Sequence, residues 1–246
     1  MMRCLVKFKR ALVRIVVLGV LTAAWGTVLA EDCVILLHGM VRTASSMNAM
    51  EQALQRDGFI VANIGYPSRD HPVEKLAPMA VEQGLAQCAD DDTVHFVTHS
   101  LGGILVRFYL GANDIPNLGR IVMLAPPNKG SEVVDKLKNM PGFEALNGPA
   151  GMQLGTDGLP ATLGAVDYEV GIIAGTETIN FILSQFLPNP DDGKVSVENT
   201  KLEGMTDFVT VPHSHPFIMD APAVIDHTIS FLRSGHFRKM QPGHTQ

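Results

Sequence analysis

Short, almost wholly apolar runs alternate along the chain with longer stretches in which apolar residues return every three or four positions. The runs at 34–37, 59–63, 94–98, 121–124, 169–174 and 208–211 read as strands. Most lack a polar face. That is expected of strands covered on both sides, and it predicts an α/β fold with a mostly parallel sheet of about six strands between helices. The first helical stretch, 46–56, places Met47, Met50 and Leu54 on one face, with Gly58 as its stop. A second, near 73–87, carries Val73, Leu76, Ala80 and Val81 but contains Pro78, which predicts a kink or a later start. A third begins at Ser100 and ends near Gly111. The last, 222–233, has Pro222 in its first turn and turns Val224, Ile225, Ile229 and Leu232 inward. Between 131 and 168 the pattern weakens and fills with Gly and Pro, as in a lid-like insertion over the carboxyl edge of the sheet, partly helical at 132–140. The residues from 235 onward read as a loose polar tail. No internal repeat appears, and 31–246 reads as a single domain.

The amino terminus breaks this alternation. Five basic residues (Arg3, Lys7, Lys9, Arg10, Arg14) precede an uncharged run from Ile15 to Ala30 that ends in Val28-Leu29-Ala30. A basic start, an apolar middle and small residues before a cut predict a secretory signal over 1–30 and a periplasmic or secreted protein. An uncleaved membrane anchor is the alternative, although the run falls short of the roughly 20 residues a spanning helix needs. Ala30-Glu31-Asp32 before Cys33 is a poor lipoprotein signal. Beyond residue 30 the chain keeps 14 bases against 25 acids. So acidic a body has no grip on phosphate backbones, which excludes nucleic acid as a partner. Three cysteines make neither a zinc motif nor a disulfide scaffold. Cys33 and Cys88 each precede an apolar run, so an exported chain could bridge them at one end of the sheet, worth roughly 4 kcal/mol of loop entropy. Two buried free thiols are the alternative.

The most informative local pattern is Val97-Thr98-His99-Ser100-Leu101-Gly102-Gly103, an apolar strand running through a serine into a helix. That is the context of a nucleophile elbow, where strand and helix nearly touch and the flanking positions must be small. The pattern departs from G-x-S-x-G at Thr98. Without the flanking elements, Ser100 would read simply as a helix cap. A second pattern, Leu36-Leu37-His38-Gly39-Met40, closes the first strand with a glycine that lets the following amide turn into a cavity. The N–H groups of Met40 and Leu101 are the candidate oxyanion donors. His38 reads as a residue that orients the loop.

A nucleophilic serine needs a base, and the base needs an orienting acid. In a fold of this kind they follow in the order Ser, acid, His. His38, His71, His95 and His99 come too early, His227 lies in the last helix, and His236 and His244 lie in the tail. His215 and His213 remain, in Val211-Pro212-His213-Ser214-His215-Pro216, with His215 the first choice. Asp192, in the Asp-Gly turn of Pro190-Asp191-Asp192-Gly193, is the candidate acid; Asp191, Glu177 and Asp207 are fallbacks. Ser131 reads as a helix N-cap. Arg42 reads as a surface residue or a contact for a substrate headgroup. The twelve methionines are core residues or the lining of an adaptable acyl groove.

From about Cys33 to Arg233 the chain resembles the α/β-hydrolases of the bacterial lipase and esterase type. The resemblance rests on "CVILLHGM", "VHFVTHSLGGILVR", "MLAPPNKGSEV", "DDGKVSV" and "VPHSHPFIM". It implies oxyanion amides at Met40 and Leu101, a triad of Ser100, Asp192 and His215, and hydrolysis of acyl esters or lipids without a cofactor. A transient contact with membrane surfaces fits such a substrate. Some members hold a structural calcium; no pair of carboxylates for it is evident here, and no metal is expected. A thioesterase or acyltransferase using the same triad, and a catalytically silent binding protein on the same fold, are the competing readings.

Overall fold

The computed structural model describes residues 32–90 and 92–239, so the export segment expected at 1–30 lies outside the described residues. Six strands, β1 (Asp32–Leu37), β2 (Ile60–Ile64), β3 (Thr93–His99), β4 (Leu118–Leu124), β5 (Val170–Gly175) and β6 (Asp207–Val211), form one sheet. Their order is β2-β1-β3-β4-β5-β6 and every neighbouring pair is parallel. All six expected strands are present. The connecting helices are α1 (Asn48–Arg56), α2 (Val73–Leu85), α3 (Leu101–Leu110), α4 (Glu132–Leu137), α5 (Phe143–Met152), α6 (Phe181–Ser184), α7 (Val197–Thr200) and α8 (Pro222–Ser234).

Alternate residues of each strand enter two different cores, which is why no polar face was visible. Ile35, Leu37, Phe96 and Ile121 pack with Leu76 and Ala80 of α2 and with Ile104 and Leu105 of α3. Val34, Leu36, Val97 and Val122 pack on the other side with Met50 and Leu54 of α1 and with Val224 and Phe231 of α8. Each such side chain contributes about 1.5–3 kcal/mol by leaving water. Cys33 and Cys88 are joined by a disulfide with a Cα–Cα distance of 5.8 Å, which ties β1 to the segment after α2.

Several local expectations are corrected. The helix expected from Ser46 opens as a 3₁₀ turn, Ala44–Met47, and becomes α-helical only at Asn48. α2 starts at Val73 and runs through Pro78. Burial of Val73, Leu76 and Ala77 before the proline and of Ala80 and Val81 after it outweighs the ~3 kcal/mol that an interior proline costs. In the stretch between β4 and β5, α4 stops at Leu137 and α5 was not anticipated, because its sequence contains Gly148-Pro149. Gly148, at φ +68°, breaks α5 into two pieces, and a Cβ there would collide with the Arg69 carbonyl. The tail is not loose where it begins: Phe237 is buried, 5.0 Å from the Phe231 ring between centroids, and its N–H donates to the Asp207 carboxylate at 2.8 Å. One aromatic residue in a polar stretch finds a gap in the core beneath α8. Residues 240–246 lie outside the described residues.

The topology also makes a cleft. From β1 the chain moves outward to β2, then crosses back so that β3 lies on the other side of β1. Where the winding direction reverses, the loops at the carboxyl ends of β1 and β3 diverge and leave a crevice.

Candidate active site

Ser100 stands alone between the end of β3 and the start of α3, at φ 51° and ψ −115°. A non-glycine residue held there costs on the order of 1–3 kcal/mol. Its neighbours impose the strain. The Ser100 N–H donates to the Leu124 carbonyl at 2.9 Å, and the Ser100 carbonyl accepts from the Gly103 N–H at 3.1 Å. The turn is so close to β1 that a Cβ on Gly102 would lie 2.6 Å from the Leu37 carbonyl oxygen. Thr98, which replaces the usual first glycine, is fully buried. Gly103 makes room for it: a Cβ at Gly103 would sit 3.3 Å from the Thr98 Oγ1. The space a glycine at 98 would have left is supplied from the helix side.

The late loops converge on this serine. His215 Nε2 lies 3.0 Å from Ser100 Oγ, and His215 Nδ1 lies 2.7 Å from Asp192 Oδ2. A carboxylate only accepts, so Nδ1 carries the proton and Nε2 is left to accept from the serine hydroxyl. Asp192 is almost wholly buried. Its second oxygen accepts the N–H groups of Lys194 and Val195, both at 2.9 Å, and its carbonyl accepts the His215 N–H at 3.0 Å. The turn after Pro190 thus aims the carboxylate while the same residue anchors the histidine loop. The fallback residues are elsewhere. Asp191 accepts from Ser184 Oγ and from the Gly193 N–H, both at 2.7 Å, and so shapes the turn. The His213 backbone pairs with Val211 and Glu177 instead of entering the site. Asp207 binds the Phe208 and Phe237 N–H groups at the opposite end of the sheet.

The loop after β1 forms the facing wall. His38 stacks on Tyr66 with ring centroids 4.1 Å apart, its Nδ1–H donates to the Gly39 carbonyl at 2.8 Å, and the Tyr66 hydroxyl donates to the His38 carbonyl at 2.5 Å. Burial lowers the His38 pKa, so this ring stays neutral and orients the loop. Among the described residues neither the Met40 nor the Leu101 N–H has a hydrogen-bond acceptor. Two amides without acceptors, one on the residue after Ser100 and one on the loop whose Gly39 would bring a Cβ within 3.3 Å of the Ser100 Cβ, suit an oxygen that gains negative charge. Arg42 binds the Pro216 carbonyl at 3.0 Å, bridging the β1 loop to the histidine loop. Ser131 occupies the N-cap position of α4, yet its hydroxyl donates to the Lys194 carbonyl at 2.7 Å in place of capping.

His99 and Tyr66 are the residues sequence reasoning passed over. His99 Nε2 lies 3.0 Å from the His215 carbonyl, which can only accept, so Nε2 carries the proton, and the buried Nδ1 has no partner among the described residues. The ring presses on the loop after β1, since a Cβ on Gly39 would come 2.6 Å from Nδ1. Burial first, then the neighbouring His215, holds the His99 pKa well below the ordinary value. Its place beside Ser100 could have drawn attention to it; Tyr66 had no local signal.

A cavity of about 440 Å³ opens over Ser100 and His215. Met40 and Val41 come from the β1 loop, Val133, Val134, Phe143, Leu146 and Leu154 from the stretch between β4 and β5, and Ile179 from the loop after β5. Arg42 and Lys194 are its cations. Among the described residues no cluster of three His, Cys, Asp or Glu side chains is placed to hold a metal ion.

No protein-family model and no curated protein sequence matches the chain. Solved structures do match. The mature form of the Bacillus licheniformis lipase BlEst2 superposes with a TM-score of 0.63 at 19% identity, over 85% of this chain and 94% of that one. A metagenomic carboxyl esterase gives 0.62 at 17% identity, over 77% of this chain and 66% of that one. An extracellular alpha/beta-hydrolase from a Paenibacillus species gives 0.57 at 14% identity, over 85% of this chain and all of that one (100%). The chain has the α/β-hydrolase fold.

Proposed function

We propose that the protein hydrolyses carboxylic esters through an acyl-enzyme on Ser100. The single observation that carries this reading is the hydrogen-bonded chain from Ser100 through His215 to Asp192, opening into an apolar cavity. His215 Nε2 takes the serine proton as Oγ attacks the ester carbonyl carbon, and the carbonyl electrons move onto oxygen. The Met40 and Leu101 amides receive that oxyanion; in measured cases one such donor is worth about 3–4 kcal/mol. When the tetrahedral centre collapses, its bond to the alcohol oxygen breaks and His215 returns the proton to the leaving alcohol. Water then repeats the sequence on the acyl group, with His215 again as base, and frees the acid and Ser100. Asp192 keeps the imidazole in the required tautomer and faces the imidazolium in both steps.

The apolar lining favours an acyl substrate, and the structural neighbours named lipase and esterase support the same reading. The disulfide and the amino-terminal pattern support export to an oxidising compartment. The test is fluorophosphonate labelling with turnover of a series of acyl esters and the matching thioesters. Wild type labels and prefers esters, whereas Ser100→Ala does neither. Equal turnover by Ser100→Ala, or a folded wild type that never labels, would refute the proposal.

A further inference from the structure

Among the described residues three that are not glycine have a positive φ: Val41 (58°), Ser100 (51°) and Ala125 (48°). They follow β1, β3 and β4, at the carboxyl edge of the sheet. The elbow accounts for Ser100. Val41 is the least tolerant of the three, because its β-branched side chain crowds its own backbone in this region. Strain of this kind persists only where the surroundings hold it, and it gathers at functional sites. What holds Val41 is the loop after β2. The Val41 N–H donates to the Oγ of the buried Ser68 at 3.2 Å, and the Ser68 N–H donates in turn to the Tyr66 carbonyl at 2.9 Å. The same loop holds the preceding peptide. The Tyr66 N–H can only donate, so His38 Nε2, 3.4 Å away, accepts, and His38 Nδ1 carries the proton given to the Gly39 carbonyl. The Gly39 carbonyl and the Met40 N–H belong to one trans peptide, so they point in opposite directions. His38 stacks on Tyr66, which follows β2, and β2 and β3 flank β1 on opposite sides. A Gly39 carbonyl drawn toward the β2 side turns the Met40 N–H toward the β3 side, where Ser100 stands.

We propose that Tyr66 and Ser68 are positioning residues for the oxyanion. From one loop they pin two consecutive peptides, Gly39–Met40 through His38 and Met40–Val41 directly, so that the Met40 N–H is aimed before substrate arrives. Neither residue lines the cavity, whereas Met40 and Val41 both do, so Tyr66 and Ser68 act through the backbone of the loop after β1. Without the Ser68 hydroxyl the Val41 N–H loses its acceptor and the backbone relaxes toward negative φ. Arg42, tied to the Pro216 carbonyl, holds the chain beyond, so the rotation falls on the Met40 side and swings its N–H off aim. The loop after β2 is itself backed by α5, where Gly148 leaves the room that the Arg69 carbonyl fills. The inference deepens the ester-hydrolase reading and rests on it for the oxyanion.

The test compares wild type, Ser68→Ala and Tyr66→Phe on a short soluble ester. A trifluoromethyl ketone serves as the probe, since its adduct with Ser100 places an anionic oxygen where that of the substrate would form. Contacts to the oxyanion are made in the transition state and not with the bound ester. In Ser68→Ala kcat therefore falls about tenfold or more while KM stays within about twofold; complete loss of one donor would cost about 10²–10³-fold. The inhibition constant of the ketone rises by the factor by which kcat falls. Tyr66→Phe, which keeps its ring on His38 and loses only the bond to the His38 carbonyl, shows the same pattern more weakly. Val41→Asn in the Ser68→Ala background recovers most of the lost kcat, because Asn enters the left-handed region readily. A hydroxyl that served the fold alone would lower the melting temperature without this kcat–KM split and without the rescue. An active wild type whose kcat and ketone affinity survive both substitutions overturns this proposal alone. So does a rise in KM at constant kcat, or a Val41→Asn that recovers nothing. A wild type that neither turns over the ester nor binds the ketone overturns the hydrolase reading and this one with it.

Discussion

Replacing Asp192 by Asn tests how the histidine is held. The carboxylate makes three short contacts: Oδ2 with His215 Nδ1 at 2.7 Å, and Oδ1 with the N–H groups of Lys194 and Val195, both at 2.9 Å. An amide has one oxygen and one NH₂, so it cannot satisfy both sides. Turning the NH₂ toward Lys194 and Val195 opposes donor to donor and leaves two backbone N–H groups unpaired, one of them buried, at about 1–3 kcal/mol each. Turning it toward His215 requires only that the imidazole move its proton from Nδ1 to Nε2, a smaller cost. The second arrangement therefore wins, and Nε2 then carries a proton and cannot accept one from Ser100. The expected loss in kcat is about 10⁴-fold, the size measured when this tautomer is trapped in a serine protease, or about 5.5 kcal/mol in the barrier. Thermal unfolding should change little, because the two backbone N–H groups keep their oxygen. The assay is kcat on a short soluble ester alongside a melting curve. Activity within tenfold of wild type in a folded Asp192→Asn protein would refute the argument.

Three further outcomes follow from the packing around the site. Gly102→Ala places a methyl 2.6 Å from the Leu37 carbonyl; it should cost about 1–3 kcal/mol in denaturant unfolding and suppress fluorophosphonate labelling, whereas an unchanged protein would mean that the elbow has slack. Replacing Cys33 and Cys88 by Ser opens a crosslink spanning 55 positions, worth about 4 kcal/mol, so the melting temperature should fall by about 10 °C; a shift of only a degree or two would contradict this. Burial depresses the pKa values of His99, His38 and His95 in the folded state, so the unfolded chain takes up their protons first as pH falls below the ordinary histidine value of 6.5. Their stabilising contribution is complete above that pH and is lost progressively below it. His99→Phe should flatten that acid limb and lower kcat without raising KM, because it frees the His215 carbonyl while leaving the cavity open. A limb identical to wild type would sink the assignment.

The sequence determined the six strands, the helices α1, α2, α3 and α8, and their order along the chain. Six short apolar runs, most without a polar face, read as strands covered on both sides, and the Ser100 elbow, the Asp-Gly turn and the late histidines were each marked by a pattern only a few residues long. Boundaries slipped where burial overrode local preference, as at Pro78 in α2, or where a break such as Gly148-Pro149 hid the two halves of α5. The choice between His213 and His215 belonged to the tertiary structure, because it depends on which imidazole faces a serine more than a hundred positions away. So did the division of labour between Asp191 and Asp192, the accommodation of Thr98 by Gly103, and the meeting of His99 with both the loop after β1 and the loop of His215. Local sequence acts through backbone preference and period, which reach only a few residues. Which side chains meet at a cleft is decided by how distant loops stack over the end of a sheet, and that is settled only when the whole core has packed.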